Sequence, residues 1–248
     1  MIVGHETAGG HTVAAAWYSP GLTGWVRAAD AQPGALDGTQ NRQMNAVTAT
    51  AKGYAAVGTA GTAWGAGGGG PRPAAWLSAN GRTWTLVTLP MPASAAQAGL
   101  QYVAASGDTL TAAGMATTVA GQQLPFAAVS ADGGATWTET ALPAPPGTAS
   151  ASGKALAVTA LAAAGGGFTA TGTYGTPGNE DVVVWTLAPG AAPGTVWTAV
   201  APTGTGLAGP GTQAITALAD TGSALTGIGF AATQESEEPT IWQSPVRS

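Results

Sequence analysis

This chain has few groups with which to do chemistry: two histidines, seven basic and twelve acidic side chains among 248 residues, and no cysteine. The missing thiols exclude disulfides, thiolate nucleophiles and Cys-based metal sites. His5, Glu6 and His11 form a His-Glu-x4-His grouping. Imidazoles and a carboxylate at that spacing can hold a metal ion. They can equally be ordinary loop residues near a chain end, and no metal or cofactor is assigned to them. The glycines at 67–70, followed by Pro71, lack the Lys-Ser/Thr ending of a phosphate loop. No serine stands in a Gly-x-Ser-x-Gly elbow.

A second set of residues suits binding. Trp64 and Tyr174 lie in segments rich in turn formers, near Asn41, Arg42, Glu180, Asp181, Glu235 and Glu237 on the reading developed below. An aromatic ring offers an apolar platform for the C–H face of a sugar. Amide, carboxylate and guanidinium groups bond its hydroxyls. These residues are far apart in sequence, so a fold must gather them.

The elements that could do so repeat. Trp17, Trp76, Val129, Trp185 and Trp242 recur at intervals of 59, 53, 56 and 57 residues. Eight residues after each of the first three stands another tryptophan: Trp25, Trp84 and Trp137. Trp185 leads to Trp197 across a turn four residues longer. In phase with these anchors run the five-residue units 54–58, 110–114, 168–172 and 225–229, each ending in Gly. Residues 1–4 read as a truncated first copy. A short apolar run precedes each full unit, at 46–51, 102–105, 156–161 and 215–219.

Alternation with period two, and Gly, Asn, Asp and Pro between the runs, predict strands. Four strands in units of about 55 residues is the pattern of a propeller blade. The sequence thus predicts an all-β fold: a single β-propeller domain over 1–248, with about five four-stranded blades. The units are approximately 1–43, 44–99, 100–154, 155–213 and 214–248. The terminal blades are incomplete, since the first unit lacks its first strand and the last its fourth. An open β-solenoid is the less favoured alternative, because solenoid repeats are usually shorter. A piece of a longer propeller also fits.

Only 8% of residues are charged and the net charge is −5. There is no basic stripe, which excludes a nucleic-acid partner. No apolar run reaches the roughly 20 residues of a transmembrane segment. Gly and Pro together approach a quarter of the chain, but nine tryptophans at regular places argue against disorder. Low charge with abundant Thr, Gly and Ala resembles exported proteins of GC-rich bacteria. The sequence is therefore expected to be secreted or extracytoplasmic, with any leader removed from this chain.

Ser130-Ala131-Asp132-Gly133-Gly134-Ala135-Thr136-Trp137 resembles the Asp-box, or BNR repeat, of sialidase-like and other exported propellers. Residues 78–84 look like a shortened copy with Asn80 for the aspartate. The resemblance implies a structural turn. Ser130 and Asp132 bond backbone N–H groups, Gly134 takes a positive φ, Thr136 completes the motif, and Trp137 packs over the hairpin. A sialidase needs three arginines to clamp a carboxylate, an acid/base carboxylate and a tyrosine nucleophile. Of the arginines here, Arg82 lies in the shortened turn, Arg27 ends a strand and Arg247 is terminal, so no triad is left.

Eight of the twelve acidic residues fall in the second-to-third strand loops and the blade-to-blade connections: Glu6, Asp30, Asp37, Glu180, Asp181, Glu235, Glu237 and Glu238. In a propeller these loops share one face. The expected function is a non-enzymatic, exported binding module that takes a glycan, such as a cell-surface carbohydrate, on that face. It would resemble propeller lectins and the glycan-binding subunits of larger secreted assemblies. A protein-interaction scaffold is the first alternative, and a degenerate relative of the Asp-box glycoside hydrolases the second.

Overall fold

The computed structural model describes residues 1–62, 70–148, 154–233 and 235–245. Among these there is no helix, and the strands form five small sheets. The first sheet holds β1 (Ile2–Ala8), β2 (His11–Tyr18) and β3 (Val26–Arg27). The short β4 (Ala29–Asp30) joins the outer edge of the second sheet, which is otherwise β5 (Asn41–Thr50), β6 (Gly53–Gly61), β7 (Pro71–Ser78) and β8 (Thr83–Thr88). The third is β9 (Ala95–Ser106), β10 (Thr109–Thr118), β11 (Gln123–Ser130) and β12 (Thr138–Ala141). The fourth is β13 (Ala155–Ala164), β14 (Gly167–Thr176), β15 (Asn179–Leu187) and β16 (Thr198–Val200). The last is β17 (Thr212–Asp220), β18 (Ala224–Ala232) and β19 (Glu237–Pro245).

Pairing within each sheet follows chain order and is antiparallel, apart from the parallel β4–β8 contact. Short Gly turns cause this, because a strand followed by a tight turn pairs with its own successor. Each sheet then packs face to face on the next. Small side chains let the faces approach closely. Ala55, Val57 and Ala75 of the second sheet meet Leu100, Leu110, Ala112, Phe126 and Ala128 of the third. Ala14 and Ala16 of the first meet Ala56, Ala74 and Trp76 of the second. The arrangement is propeller-like. Among the described residues, the first and last sheets form no packed interface with each other.

The recurring glycine has a specific cause. The inner strands β5, β9, β13 and β17 all shift register opposite it, so each bulges by one residue. The bulge pushes a carbonyl over the neighbouring strand. A Cβ on Gly58 would lie 1.9 Å from Gln43 O, one on Gly114 2.0 Å from Gly99 O, and one on Gly172 2.0 Å from Ala157 O. On Gly229 it would lie 1.8 Å from Ala214 O. Only glycine fits such an approach.

Two sequence anchors move. Gly114 pairs with Phe126 and Ala113 with Ala127, whereas Gly58 pairs with Ala74 and Val57 with Ala75. Ala128, not Val129, therefore occupies the position of Trp76, Trp185 and Trp242. The 130–137 turn is one residue longer than the 78–84 turn, and that extra residue hid the true register. Trp25 also differs from its supposed equivalents. It precedes the two-residue β3 and is 40% exposed, while Trp84 and Trp197 are buried.

Candidate functional site

The two tryptophan-ended turns are structural. Ser130 and Asp132 bond each other, Gly134 N–H donates to Ser130 Oγ at 2.8 Å, and Thr136 donates its amide and hydroxyl to the two Asp132 oxygens. Trp137 Nε1 donates to Gly134 O at 2.9 Å. The Thr136 hydroxyl, then its amide, pull the Asp132 carboxyl down to about 2. In the shorter turn Asn80 Oδ1 accepts from the Arg82 and Thr83 amides, and Gly81 N–H donates to Ser78 Oγ.

The metal-like grouping is separated. His5 and Glu6 are successive residues of β1 and so point to opposite faces. Glu6 is ion-paired to Arg27 at 2.9 Å, and His11 Nδ1 lies 3.3 Å from Gly9 O. Among the described residues no three His, Asp or Glu side chains cluster as metal ligands would.

Glu180 and Asp181 are tied up within the chain. Glu180 accepts from the Thr212 hydroxyl and the Gly178 amide, and Asp181 accepts from the Gly209 amide at 2.9 Å. Together with Asn179, which accepts from Gly211 N–H, they fasten the connection that leads into β17. Tyr174 pairs across from Asp181, with the Lys154 ammonium 5.8 Å from its ring centre. Burial, then the Asp181 charge, push its phenol pKa up. Glu235 is exposed in the β18–β19 turn, and Glu237, also exposed, opens β19 opposite Ala232, which pairs in turn with Thr212. Trp64 lies outside the described residues.

Asn41 and Arg42 do come together. They open β5, opposite Gly61 and Ala60 of β6, and line a cavity of about 190 Å³ with Thr12, Gln43, Thr59 and Pro71. The cavity sits where the start of an inner strand meets the end of a second strand. Asn41 Oδ1 accepts from Thr12 N–H at 2.9 Å, which joins the first sheet to the second. The Arg42 guanidinium lies against Gly38, where a Cβ would come within 2.3 Å of it. Its Nε and Nη1 are buried with no hydrogen-bond partner among the described residues. Burial lowers its pKa against the opposing pull of Asp30 and Asp37. Asp30 itself is spent on the Gly34 and Leu36 amides. Sequence reasoning missed Thr12 and Thr59. Threonines in alternating strands are ordinary, and only the packing of two sheets brings this pair to one cavity.

No family model matches the chain, and no curated protein matches it. Solved structures do. A protein of unknown function from Dyadobacter fermentans aligns over 95% of this chain and 72% of its own, at 10% identity and a TM-score of 0.59. That likeness is one of fold. A Bombyx mori β-fructofuranosidase solved with sucrose aligns over 82% of this chain and 46% of its own, at 13% identity and a TM-score of 0.43. A glycoside hydrolase aligns over 81% and 70%, at 11% identity and 0.44. The class is defined by the sheets themselves, five small β-sheets packed in succession, an all-β, propeller-like fold. The expectation of a non-enzymatic chain is corrected, because structures aligned with it include glycoside hydrolases, which are enzymes. The expectation rested on missing motifs. Catalytic side chains can converge from separate strands, which linear spacing does not reveal. Likeness at these TM-scores carries neither a substrate nor a catalytic residue to this chain.

Proposed function

We propose that this chain is an extracytoplasmic, carbohydrate-binding propeller whose ligand enters the cavity bounded by Asn41, Arg42 and Gln43. The observation behind this reading is the chemistry of the lining. Asn41, Gln43, Thr12, Thr59 and Arg42 are among the residues that bound a small open space, with the Gln43 amide also donating to Asn45 Oδ1 at 2.8 Å. Polar residues of this kind, four of them uncharged, match a hydroxyl-rich ligand. At about 190 Å³ the space is smaller than a drug-sized pocket of roughly 300 Å³ or more, and suits a single sugar ring. The segment carrying Trp64 joins β6 to β7, the two strands that supply Gly61 and Pro71 to the lining.

A glycan array with the purified chain tests the proposal. Saturable binding of a defined glycan is expected. Gln43→Ala, at a half-exposed side chain, should weaken it about tenfold, the equivalent of one lost hydrogen bond. Binding to no glycan, or binding that ignores Gln43→Ala and Arg42→Ala alike, overturns the reading.

A further inference from the structure

Where the second and fourth sheets pack on their predecessors, a tryptophan closes the join. Trp76 is fully buried and donates Nε1–H to Ala35 O at 2.6 Å, in the connection from β4 to β5. Trp185, also fully buried, donates to Pro143 O at 2.7 Å, in the connection from β12 to β13. In the third sheet Ala128 holds this position in the register, with neither a ring nor a donor to offer. Phe126, two residues earlier on the same face of β11, is the large side chain buried there instead.

Part of this join is open. A cavity of about 130 Å³ lies between the third sheet and the connection from β8 to β9, against Pro92, Ala95, Ala116, Leu124 and Phe126. Those walls are apolar, and Glu139 of β12 adds one carboxylate to them. Glu139 stands across from Ala128, whereas the residues across from Trp76 and Trp185 are Leu86 and Ala199. A carboxylate therefore takes the place that two other sheets give to an apolar side chain. Among the described residues it has no hydrogen bond and no ion pair. Burial pushes its pKa up, because water is removed and no donor or cation replaces it. A half-buried carboxylate without a partner costs the chain stability, and a cation from outside removes that cost.

We propose that this cavity binds a small organic ammonium ion, a primary amine on a short hydrocarbon chain. The ammonium group donates to the Glu139 carboxylate, and the hydrocarbon lies against Ala116, Leu124 and Phe126. A dry cavity of about 150 Å³ holds a benzene molecule, so an amine of about six non-hydrogen atoms suits the space here. Charge complementarity selects the amine over a neutral or anionic molecule of the same length. The site lies between the second and third sheets, apart from the cavity at Asn41 and Arg42 where the first sheet meets the second.

The probe is n-pentylammonium, titrated into the intact chain and followed by NMR shifts. Saturable binding is expected, with the shifts confined to residues around Ala116, Phe126 and Glu139. Pentan-1-ol has the same length without the charge and should bind about tenfold more weakly or worse. Glu139→Gln keeps the shape of the side chain and removes its charge. It should weaken n-pentylammonium by about tenfold or more and leave pentan-1-ol unchanged. Absence of saturable binding overturns the proposal. So do equal affinities for the ammonium ion and the alcohol, undiminished binding by Glu139→Gln, or shifts that map to another part of the chain.

Discussion

The second to fourth sheets and the first sheet share one pattern and differ in what fills the inner position. In the third sheet β9 crosses Gly114, and Leu100, Leu110 and Phe126 are buried around it. In the first sheet no strand among the described residues crosses Gly4, and Ile2 and Trp25 are 48% and 40% exposed. The last sheet repeats the lesson from the other side. Ile228 and Ile241 face each other across β18 and β19 at 49% and 72% exposure, although their equivalents Val57 and Ala75 are fully buried. A blade of this kind is stable by being enclosed. The same residues in the same register stabilise only where a neighbouring strand or sheet removes them from water.

This comparison can be broken most directly at the tryptophans. Trp76 is fully buried, and its Nε1 donates to Ala35 O at 2.6 Å. Trp76→Ala should cost about 3–5 kcal/mol in denaturant unfolding. Trp25→Ala, on the open first sheet, should cost about 1 kcal/mol or less. Equal losses would mean that the first sheet is as enclosed as the second.

The glycine pair comes next. Gly114→Ala places a methyl group 2.0 Å from Gly99 O and should cost about 3 kcal/mol, either flattening the bulge or detaching β9. Gly4→Ala should leave the unfolding midpoint of the free chain unmoved, because its methyl group has room. A large loss at Gly4 would show that a carbonyl approaches it as well.

The smallest effect separates the two turns by pH. The Asp132 carboxyl lies below its ordinary value, so its contribution to stability is complete above pH 3.8 and is lost as pH falls through about 2. Asp132→Asn should flatten the melting temperature across that window. Asn80→Asp should introduce such a dependence, because the shorter turn is built on a neutral amide. Melting curves of the two variants from neutral pH down to pH 2 check both signs.

Much of the architecture could be read from the residues because its causes are local. Gly-containing turns force neighbouring runs to pair, alternation sets which side is buried, and a glycine recurs every 55 residues or so, whose close approach to a carbonyl only the structure shows. The shortage of strands in the first and last sheets was visible for the same reason. The third anchor was misread. Val129 is apolar and near the right place, and only the hydrogen-bond register puts Ala128 there. The site was less legible. Glu180 and Asp181 were expected in a loop but open strand β15, and their oxygens are consumed by the Thr212 hydroxyl and the Gly178 and Gly209 amides.

By itself, then, the sequence determined the strands, their turns, the repeat and the recurrence of glycine within it. These follow from backbone sterics and from side-chain alternation within a few residues. The tertiary structure decided which polar groups remain available and which recurring glycine meets a carbonyl. Thr12, Asn41 and Thr59 share a cavity because two sheets pack, and Gly4, unlike Gly58, meets no carbonyl among the described residues. Both depend on contacts between segments distant in the chain, which spacing within one segment does not encode.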